Sequence, residues 1–388
     1  MRFALLGIDD FTLPLARAIQ ASEGHELSLI LAEGVDERLP GAAVRAADEW
    51  ELLLGGGEQD AVLVAACRDI SPLGKPDSRE QLRLEQVRRL AQAGVPMLVS
   101  HPITFNVLDA YEIEMLAAEQ GTVVMPILPQ RAMMGELLQT CRTLRGINHV
   151  SLERRLGPLS LVEALRLFAH DVDLLSELSG GVTKISAMGS WTERGAEPAP
   201  LSGASELRGL GAQLSGPAAA RCQWSPQSPP PQAPLSQPSS QAPSPLSGCE
   251  MVVGSESGQV HFSCDEQGRY ELHGGESSRQ EHVSAQAAAD VLLGQFVAAV
   301  AADAAGQTAA AEAGPRWTAA IRSLELTEGL VRSLRRDRTI EIRDDTASEV
   351  GAFKGTMASL GCGLLIGGLV LMVLTAVVAG VADRFGFP

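Results

Sequence analysis

The N-terminal stretch, residues 1–32, constrains the fold of this chain more than any other. Arg2–Leu6 is a short apolar run that ends at Gly7, and apolar residues follow at helical spacing across residues 13–19. A second apolar run at residues 27–31 completes a pattern of strand, tight turn, helix and strand. A chain that begins in this way is typical of a doubly wound parallel sheet covered by helices.

The turn after the first strand contains only part of the pattern expected of a phosphate-binding turn. In such folds glycine stands at three places, G-x-G-x-x-G, so that backbone amides can approach a diphosphate. Gly7 matches the first place, but Ile8 is followed by Asp9 at the second and Thr12 stands at the third. A carboxylate here opposes a diphosphate at the positive end of a helix. Gly7, Ile8 and Asp9 are therefore cofactor-binding candidates in a turn that favours the architecture more clearly than the ligand.

Charge and cysteine usage exclude two classes of function. The chain of 388 residues has a formal net charge of -16, and no large Lys/Arg cluster precedes Arg332, so we expect no nucleic-acid partner. The six cysteines have neither C-x-x-C spacing nor histidines at zinc-ligand intervals. We therefore predict no metal site and interpret the cysteines as reduced, mostly buried residues.

Strand and helix signals alternate through the first third of the chain. Residues 60–66 and 96–100 are short apolar runs, as expected of parallel strands buried on both faces. An amphipathic helix is predicted over residues 78–93, and a later helix leads to a strand at residues 123–128. We predict a Rossmann-like parallel sheet in residues 1–125.

The next part of the chain, residues 126–343, predicts an α+β domain with a mostly antiparallel sheet. Short strand signals separated by glycine-containing turns occur between residues 251 and 273, which suggests a meander. Apolar spacing predicts helices over residues 160–178, 285–302 and 318–334.

Within this domain, the composition changes sharply over residues 193–248. Residues 225–245 are almost entirely Ser, Pro, Gln and Ala. Such a sequence buries too little apolar surface to offset its ordering entropy, so we predict a disordered insertion over residues 193–248.

Residues 360–381 form an uncharged apolar segment close to the end of the sequence. At about 1.5 Å per residue, a helix of this length crosses a hydrocarbon core of about 30 Å. Basic residues are frequent between Arg332 and Lys354, which places the N-terminal bulk on the cytoplasmic side. The sequence therefore predicts a single-pass C-terminal anchor in a lipid bilayer, preceded by a linker at residues 344–359.

Four stretches together resemble the glucose-fructose oxidoreductase and inositol dehydrogenase (Gfo/Idh/MocA) family. They are residues 4–18, the sequence MLVSHP at 97–102, the sequence FAHDVDLL at 168–175, and residues 251–274. In the family the second stretch ends in Glu-Lys-Pro, the third has a histidine and an aspartate three apart on a helix, and the fourth is a G-x-x-G strand turn. The order of elements is similar to that family from residue 1 to about residue 342.

The resemblance implies an NAD- or NADP-dependent oxidoreductase acting on a sugar- or polyol-like substrate between two domains. The lysine and the helical histidine of the family act on the proton of the reacting hydroxyl while hydride leaves the carbinol carbon. By this resemblance, the catalytic candidates are His101, His170 and Asp173. Pro102 and Glu33 join the cofactor-binding candidates, Glu33 at the place of the acidic residue that holds the ribose hydroxyls. A homodimer through the open face of the second sheet is also implied.

The chain departs from the family pattern at several of these positions. His101 stands where the lysine belongs, and Arg166 stands where an aspartate usually precedes the helical histidine by four residues. Three interpretations stay open. The protein is a membrane-tethered NAD(P)-dependent oxidoreductase whose chemistry is impaired, a catalytically degenerate binding or scaffolding protein at the membrane face, or an interaction hub working through its Pro-rich segment.

Overall fold

The structure of the chain is a computed structural model. It describes residues 1–32, 39, 41–55, 59–67, 77–157, 159–192, 206–226, 248–265, 269–274, 277–282, 285–306 and 316–342. Glu33, the linker at residues 344–359 and the predicted membrane segment at residues 360–381 lie outside the described residues.

A six-stranded parallel sheet and its helices form the first lobe, and they confirm the predicted Rossmann-like architecture. The strands are β1 (Arg2–Leu6), β2 (Glu26–Leu31), β3 (Ala43–Arg45), β4 (Ala61–Val64), β5 (Met97–Ser100) and β6 (Val124–Ile127), and the helices are α1 (Thr12–Ala21), α2 (Ser78–Gln92) and α3 (Val107–Gln120). The strand order is β3-β2-β1-β4-β5-β6. The strand order reverses at β1: the chain adds β2 and β3 on one side of β1 and then β4, β5 and β6 on the other. Ligands of such folds bind in the crevice at the carboxyl ends of the strands where this reversal occurs, here β1 and β4.

A second sheet of ten strands forms the second lobe. The strands are β7 (Ile147–Leu156), β8 (Leu159–Ser160), β9 (Lys184–Thr192), β10 (Glu206–Ser215), β11 (Ala219–Pro226), β12 (Cys249–Ser255), β13 (Gly258–Cys264), β14 (Arg269–Gly274), β15 (Ser277–His282) and β16 (Ile340–Glu341). Their order is β15-β14-β13-β12-β7-β11-β10-β9-β16, with β8 beside β10. Among the described strands of this second sheet, only β7 and β11 pair in parallel, so the predicted mostly antiparallel sheet is confirmed.

Two of these strands correct the prediction of a disordered insertion over residues 193–248. Both β10 and β11 lie inside that range, so the prediction is wrong for residues 206–226. The buried side chains of the two strands alternate with exposed ones and include Leu210, Leu214 and Trp224. Glycine, serine and glutamine between them lower the average hydrophobicity, which hides a pattern of period two. Residues 227–247 lie outside the described part of the chain.

A 3-10 helix at Ala47–Leu54 and five further α-helices complete the described structure. The α-helices are α4 (Pro129–Met133), α5 (Gly135–Thr143), α6 (Leu161–Ser179), α7 (Ala285–Ala304) and α8 (Trp317–Arg336). Helix α6 begins with a reciprocal pair in which the Ser160 hydroxyl accepts from the Glu163 amide and the Glu163 carboxylate accepts from the Ser160 amide. It ends at Gly180, whose left-handed φ of 77° suits glycine at a helix end. The ends of α6, which carries His170, are thus fixed locally.

Helix α7 packs on the first lobe, although the sequence assigned it to the second, whereas α8 contacts the first lobe with its N-terminal half and the second with its C-terminal half. Leu292, Leu293 and Phe296 of α7 are buried in one core with Phe3, and the Phe3 and Phe296 rings are 6.2 Å apart. In α8, the Trp317 indole donates to the Ala110 carbonyl at 2.8 Å. These two helices therefore connect the lobes on either side of the predicted boundary at residue 125, and residues 1–342 form one compact unit.

Helix α7 is also the one helix in the described ranges that is long and apolar enough to cross a membrane. Its buried apolar face lies against α1 and the parallel sheet. Packing inside the protein accounts for the buried part of α7, 39% of its most apolar stretch, as it does for the core helices of many folded proteins.

Candidate functional site

The candidate site lies where the carboxyl ends of β1, β4 and β5 meet helix α6. Three sequence candidates, Gly7, Ile8 and Asp9, follow β1, and His101 and Pro102 follow β5. His170 lies on α6, and the imidazole rings of His101 and His170 are 5.6 Å apart at nearly a right angle. The structure therefore brings candidates separated by about 70 to 160 residues in sequence to one crevice of the fold.

Gly7 occupies a position that only glycine fits. Its φ is +78°, and its amide donates to the Leu31 carbonyl at 2.9 Å. A Cβ atom at this position would lie 2.6 Å from Nη2 of Arg83, whose Nη1 donates to the Leu6 carbonyl at 3.0 Å. The turn therefore keeps the first glycine of the expected pattern, and a guanidinium lies over it. Ile8, the next residue, packs against the core of the first lobe.

The Asp9 carboxylate is bonded to backbone amides from two elements. Oδ1 accepts from the amides of Phe11 and Thr12 at 3.0 Å and 2.8 Å. Oδ2 accepts from the amide of Ala66, just beyond β4, at 2.8 Å. The Thr12 hydroxyl in turn accepts from the Asp9 amide at 3.0 Å. Asp9 thus spans the crevice between β1 and β4 and caps the start of α1.

These residues do not fit the diphosphate of a nicotinamide dinucleotide. A diphosphate at the start of α1 would need the amides that Asp9 already occupies, and it would meet a carboxylate. The side chain of Thr12, which is completely buried, stands where the pattern expects glycine. The turn is therefore complete without a dinucleotide.

His101 and His170 form a buried pair. Nε2 of His101 is 2.7 Å from the Ser323 hydroxyl of α8, and that hydroxyl also donates to the Ala320 carbonyl. The His170 ring is 5.1 Å from the Phe11 ring, and neither of its nitrogens makes a hydrogen bond of good geometry to a residue that the structure describes, although the His101 backbone interacts with the ring. His170 therefore keeps its hydrogen-bonding capacity inside the crevice.

Both histidines are neutral at physiological pH. Burial lowers the pKa of His170 to about 4, with the His101 carbonyl opposing the shift and the Arg154 and Arg166 charges adding to it. Burial, together with His170, lowers the pKa of His101 well below its usual value. His101, which stands where the family has a charged lysine, is therefore an uncharged imidazole.

Asp173, predicted to act with His170, forms an ion pair with a different residue. Nε and Nη2 of Arg131 each donate to one carboxylate oxygen of Asp173 at 2.8 Å. Burial raises the pKa of Asp173, although Arg131 opposes that shift. Arg166, one turn before His170, donates to the Cys67 carbonyl beyond β4 and so ties α6 to the first lobe. Pro102 follows His101 through a cis peptide bond.

Several residues around the site were missed by the sequence analysis. Arg83, Phe11 and Ser323 reach it from helices or turns whose sequence carries only an ordinary helical or apolar pattern. Arg154 and Asp171 form a buried bidentate ion pair at 2.8 Å and 2.6 Å between β7 and α6. No local motif marks these contacts, because each one depends on how distant elements pack.

A parallel sheet in the dinucleotide-binding strand order, joined to a second mixed sheet, defines the class of two-lobed dehydrogenase folds. Within that class the chain has the fold of the Gfo/Idh/MocA-type oxidoreductases, as the resemblance in sequence implied. No family model matches the sequence, and no curated protein matches it.

Three solved structures are similar to this chain. A myo-inositol dehydrogenase from Corynebacterium glutamicum ATCC 13032 has a TM-score of 0.62 and 16% identity, covering 88% of this chain and 99% of its own. An oxidoreductase from Agrobacterium radiobacter, in complex with NAD+, L-tartaric acid and magnesium, has a TM-score of 0.61 and 15% identity, with coverages of 88% and 98%. A biliverdin reductase from Synechocystis sp. PCC 6803, in complex with biliverdin and NADP+, has a TM-score of 0.55 and 15% identity, with coverages of 86% and 99%.

Proposed function

We propose that this chain is a divergent Gfo/Idh/MocA-type oxidoreductase homologue whose NAD(P)-dependent chemistry on a sugar- or polyol-like substrate is impaired. The shared fold supports the ancestry, and neighbours solved with NAD+ and NADP+ support a nicotinamide dinucleotide as the ancestral cofactor. The position of His170 supports a ligand between the lobes, because the buried imidazole there makes no hydrogen bond of good geometry to a described residue.

The observation that carries the proposal is the low basicity of the His101 and His170 pair. Dehydrogenation of a carbinol needs a group that accepts the hydroxyl proton, and this works best when the pKa of the group is near the working pH. His170 has a pKa of about 4, and His101 supplies no fixed positive charge to stabilise the developing alkoxide. Asp173, which could have stabilised an imidazolium, is paired with Arg131. The pair therefore suits hydrogen bonding to a ligand better than proton abstraction from it.

The same geometry favours the second candidate, a catalytically degenerate binding or scaffolding protein. The Asp9 turn is satisfied by its own chain, so the two lobes do not require a dinucleotide to complete it. In this role the protein would hold a small polar ligand or a partner at the cytoplasmic membrane face without redox turnover.

Titration of the full chain with NADH and NADPH, combined with a turnover assay on inositols and sugars, separates these functions. We expect neither cofactor to bind at concentrations up to about 1 mM, which corresponds to a binding free energy no more favourable than about −4 kcal/mol. We also expect no turnover. Micromolar binding with turnover would contradict the impairment.

Variants show whether any residual turnover comes from this site. His170→Gln should abolish it, whereas His149→Gln, which changes an exposed histidine of β7, should leave it unchanged. Turnover that survives His170→Gln would place the chemistry elsewhere.

A further inference from the structure

The start of helix α1 is an anion site that the chain fills with its own carboxylate. Four backbone amides converge there, those of Asp9, Phe11, Thr12 and Ala66, and every one donates to the side chain of Asp9 or Thr12. Amides from two different elements meet one carboxylate at 2.8 to 3.0 Å. An ordinary helix cap would use only the amides of its own helix.

A cation lies beside this carboxylate. Arg83 reaches over Gly7 from α2, and its charge interacts with Asp9 and with the Cys67 thiol. Burial lowers the pKa of Arg83, and these two groups oppose the shift. Its Nε has no hydrogen-bond partner in the described part of the chain. The guanidinium therefore has capacity to bind an anion, and the Asp9 carboxylate of the turn is a negative charge that already interacts with it.

We propose that Asp9 acts as a built-in ligand that takes the place of a dinucleotide diphosphate, and that its removal exposes an anion site formed by the amides of α1, the Ala66 amide and Arg83. A diphosphate carries the oxygen acceptors and the negative charge that this set of donors would lose with Asp9. This inference goes beyond the proposed function, because it concerns what the turn binds and not whether the histidine pair performs chemistry.

The inference is tested by Asp9→Gly in the full chain, with inorganic pyrophosphate and NADH as probes in calorimetric titrations. The matched control is Asp10→Gly, which removes the same charge from the exposed neighbouring residue. We expect Asp9→Gly to bind pyrophosphate at least about tenfold more tightly than the wild type, while Asp10→Gly behaves as the wild type. The double variant Asp9→Gly/Arg83→Gln should lose this increase, because it lacks the cation.

Folding of each variant is checked by circular dichroism and thermal melting. We expect Asp9→Gly to melt at a lower temperature without ligand, and pyrophosphate to restore part of the difference. If Asp9→Gly does not fold, Asp9→Ser replaces it, since serine still caps α1 but cannot also reach Ala66 with a second oxygen.

Two results would overturn the inference. One is a folded Asp9→Gly or Asp9→Ser variant that binds pyrophosphate no better than the wild type. The other is a wild type that binds pyrophosphate as tightly as the variant. Failure of the proposed function would instead appear as NAD(P)-dependent turnover by the wild type, which is measured separately.

Discussion

At the scale of single residues, the two buried histidines differ most from their behaviour in water. His101 and His170 are each only 2% exposed; their rings contact each other, and the His170 ring also contacts Phe11. A charged imidazolium would lose its hydration here with no carboxylate to replace it. The native state therefore holds both rings in the neutral form, with consequences for stability against pH.

We predict that stability falls as the pH decreases from about 6.5 to about 4. His170 has a pKa of about 4 in the native state and an unperturbed value of about 6.5 when unfolded, so the unfolded chain binds a proton in this interval that the native chain does not. The contribution of neutral, buried His170 to the free energy of unfolding is fully present above about pH 6.5, and a loss on the order of 3 kcal/mol is reached near pH 4. His101 acts in the same direction.

Urea unfolding of the wild type and of His170→Gln at about pH 7.5 and about pH 5 checks this prediction. The variant should show a weaker pH dependence of the free energy of unfolding, whereas His149→Gln should keep that of the wild type. An identical pH dependence in His170→Gln and the wild type would contradict the neutral, buried imidazole.

At the scale of elements, helix α6 is joined to the second sheet by a buried ion pair. Arg154 of β7 and Asp171 of α6 are 2% and 0% exposed, and the Trp224 indole of β11 also donates to Asp171 at 3.2 Å. The pair closes a hydrogen-bonded connection between one helix and two strands. It also fixes the helix that carries His170 and Arg166.

We predict that Asp171→Asn lowers the free energy of unfolding by about 3–5 kcal/mol, because it leaves the Arg154 charge buried without a counter-ion. Glu153→Gln, which breaks the exposed pair with Arg221, should lower it by less than about 1 kcal/mol. The double variant Arg154→Met/Asp171→Leu should be closer to the wild type than Asp171→Asn is. Denaturant unfolding measures all three, and equal small changes would be inconsistent with a buried charge.

The positions of the helices along the chain were largely predictable from sequence, whereas the elements against which they pack were not. Apolar periodicity located α6, α7 and α8 within a few residues, because a buried face repeats every three to four positions. Periodicity does not say which sheet covers that face, so it did not show that α7 packs on the first lobe or that α8 contacts both lobes. The strands β10 and β11 were missed because their outward residues resemble a linker.

The candidate site was predictable only where a turn pattern or the resemblance marked its residues. The Asp9 turn was found from its place after the first strand and His101 and His170 from the resemblance, and the structure brings them to one crevice. The contacts that set their chemistry join residues far apart in sequence, 77 residues for Arg83 and Leu6 and 222 for His101 and Ser323. Such contacts follow from tertiary packing, which a single sequence does not encode in any local pattern.

At the scale of the whole molecule, the predicted membrane attachment depends on which apolar segment would meet lipid. The apolar face of α7 is used inside the protein, with Phe296 fully buried. The uncharged residues 360–381 then remain as the predicted anchor.

We predict that the full chain sediments with membranes and is released only by detergent. A chain ending at Ile342 should stay in the supernatant, because it keeps the unit that contains α7 but lacks the predicted anchor. Membrane fractionation followed by alkaline carbonate washing measures the difference. Sedimentation of the shortened chain would implicate α7, and a full chain found in the supernatant would rule out the anchor.

The parallel pairing of β7 with β11 determines how much chain the sheet needs at one of its ends. Pro226 at the end of β11 lies opposite Leu156, and Cys249 at the start of β12 lies opposite Arg154. Strand β11 therefore ends, and strand β12 begins, at the same end of β7, which lies between them. Two strand spacings, about 10 Å, separate them, a gap that a few residues can bridge. The length of residues 227–247 is therefore not a requirement of the fold, and this segment can be lengthened, shortened or exchanged while every strand keeps its register.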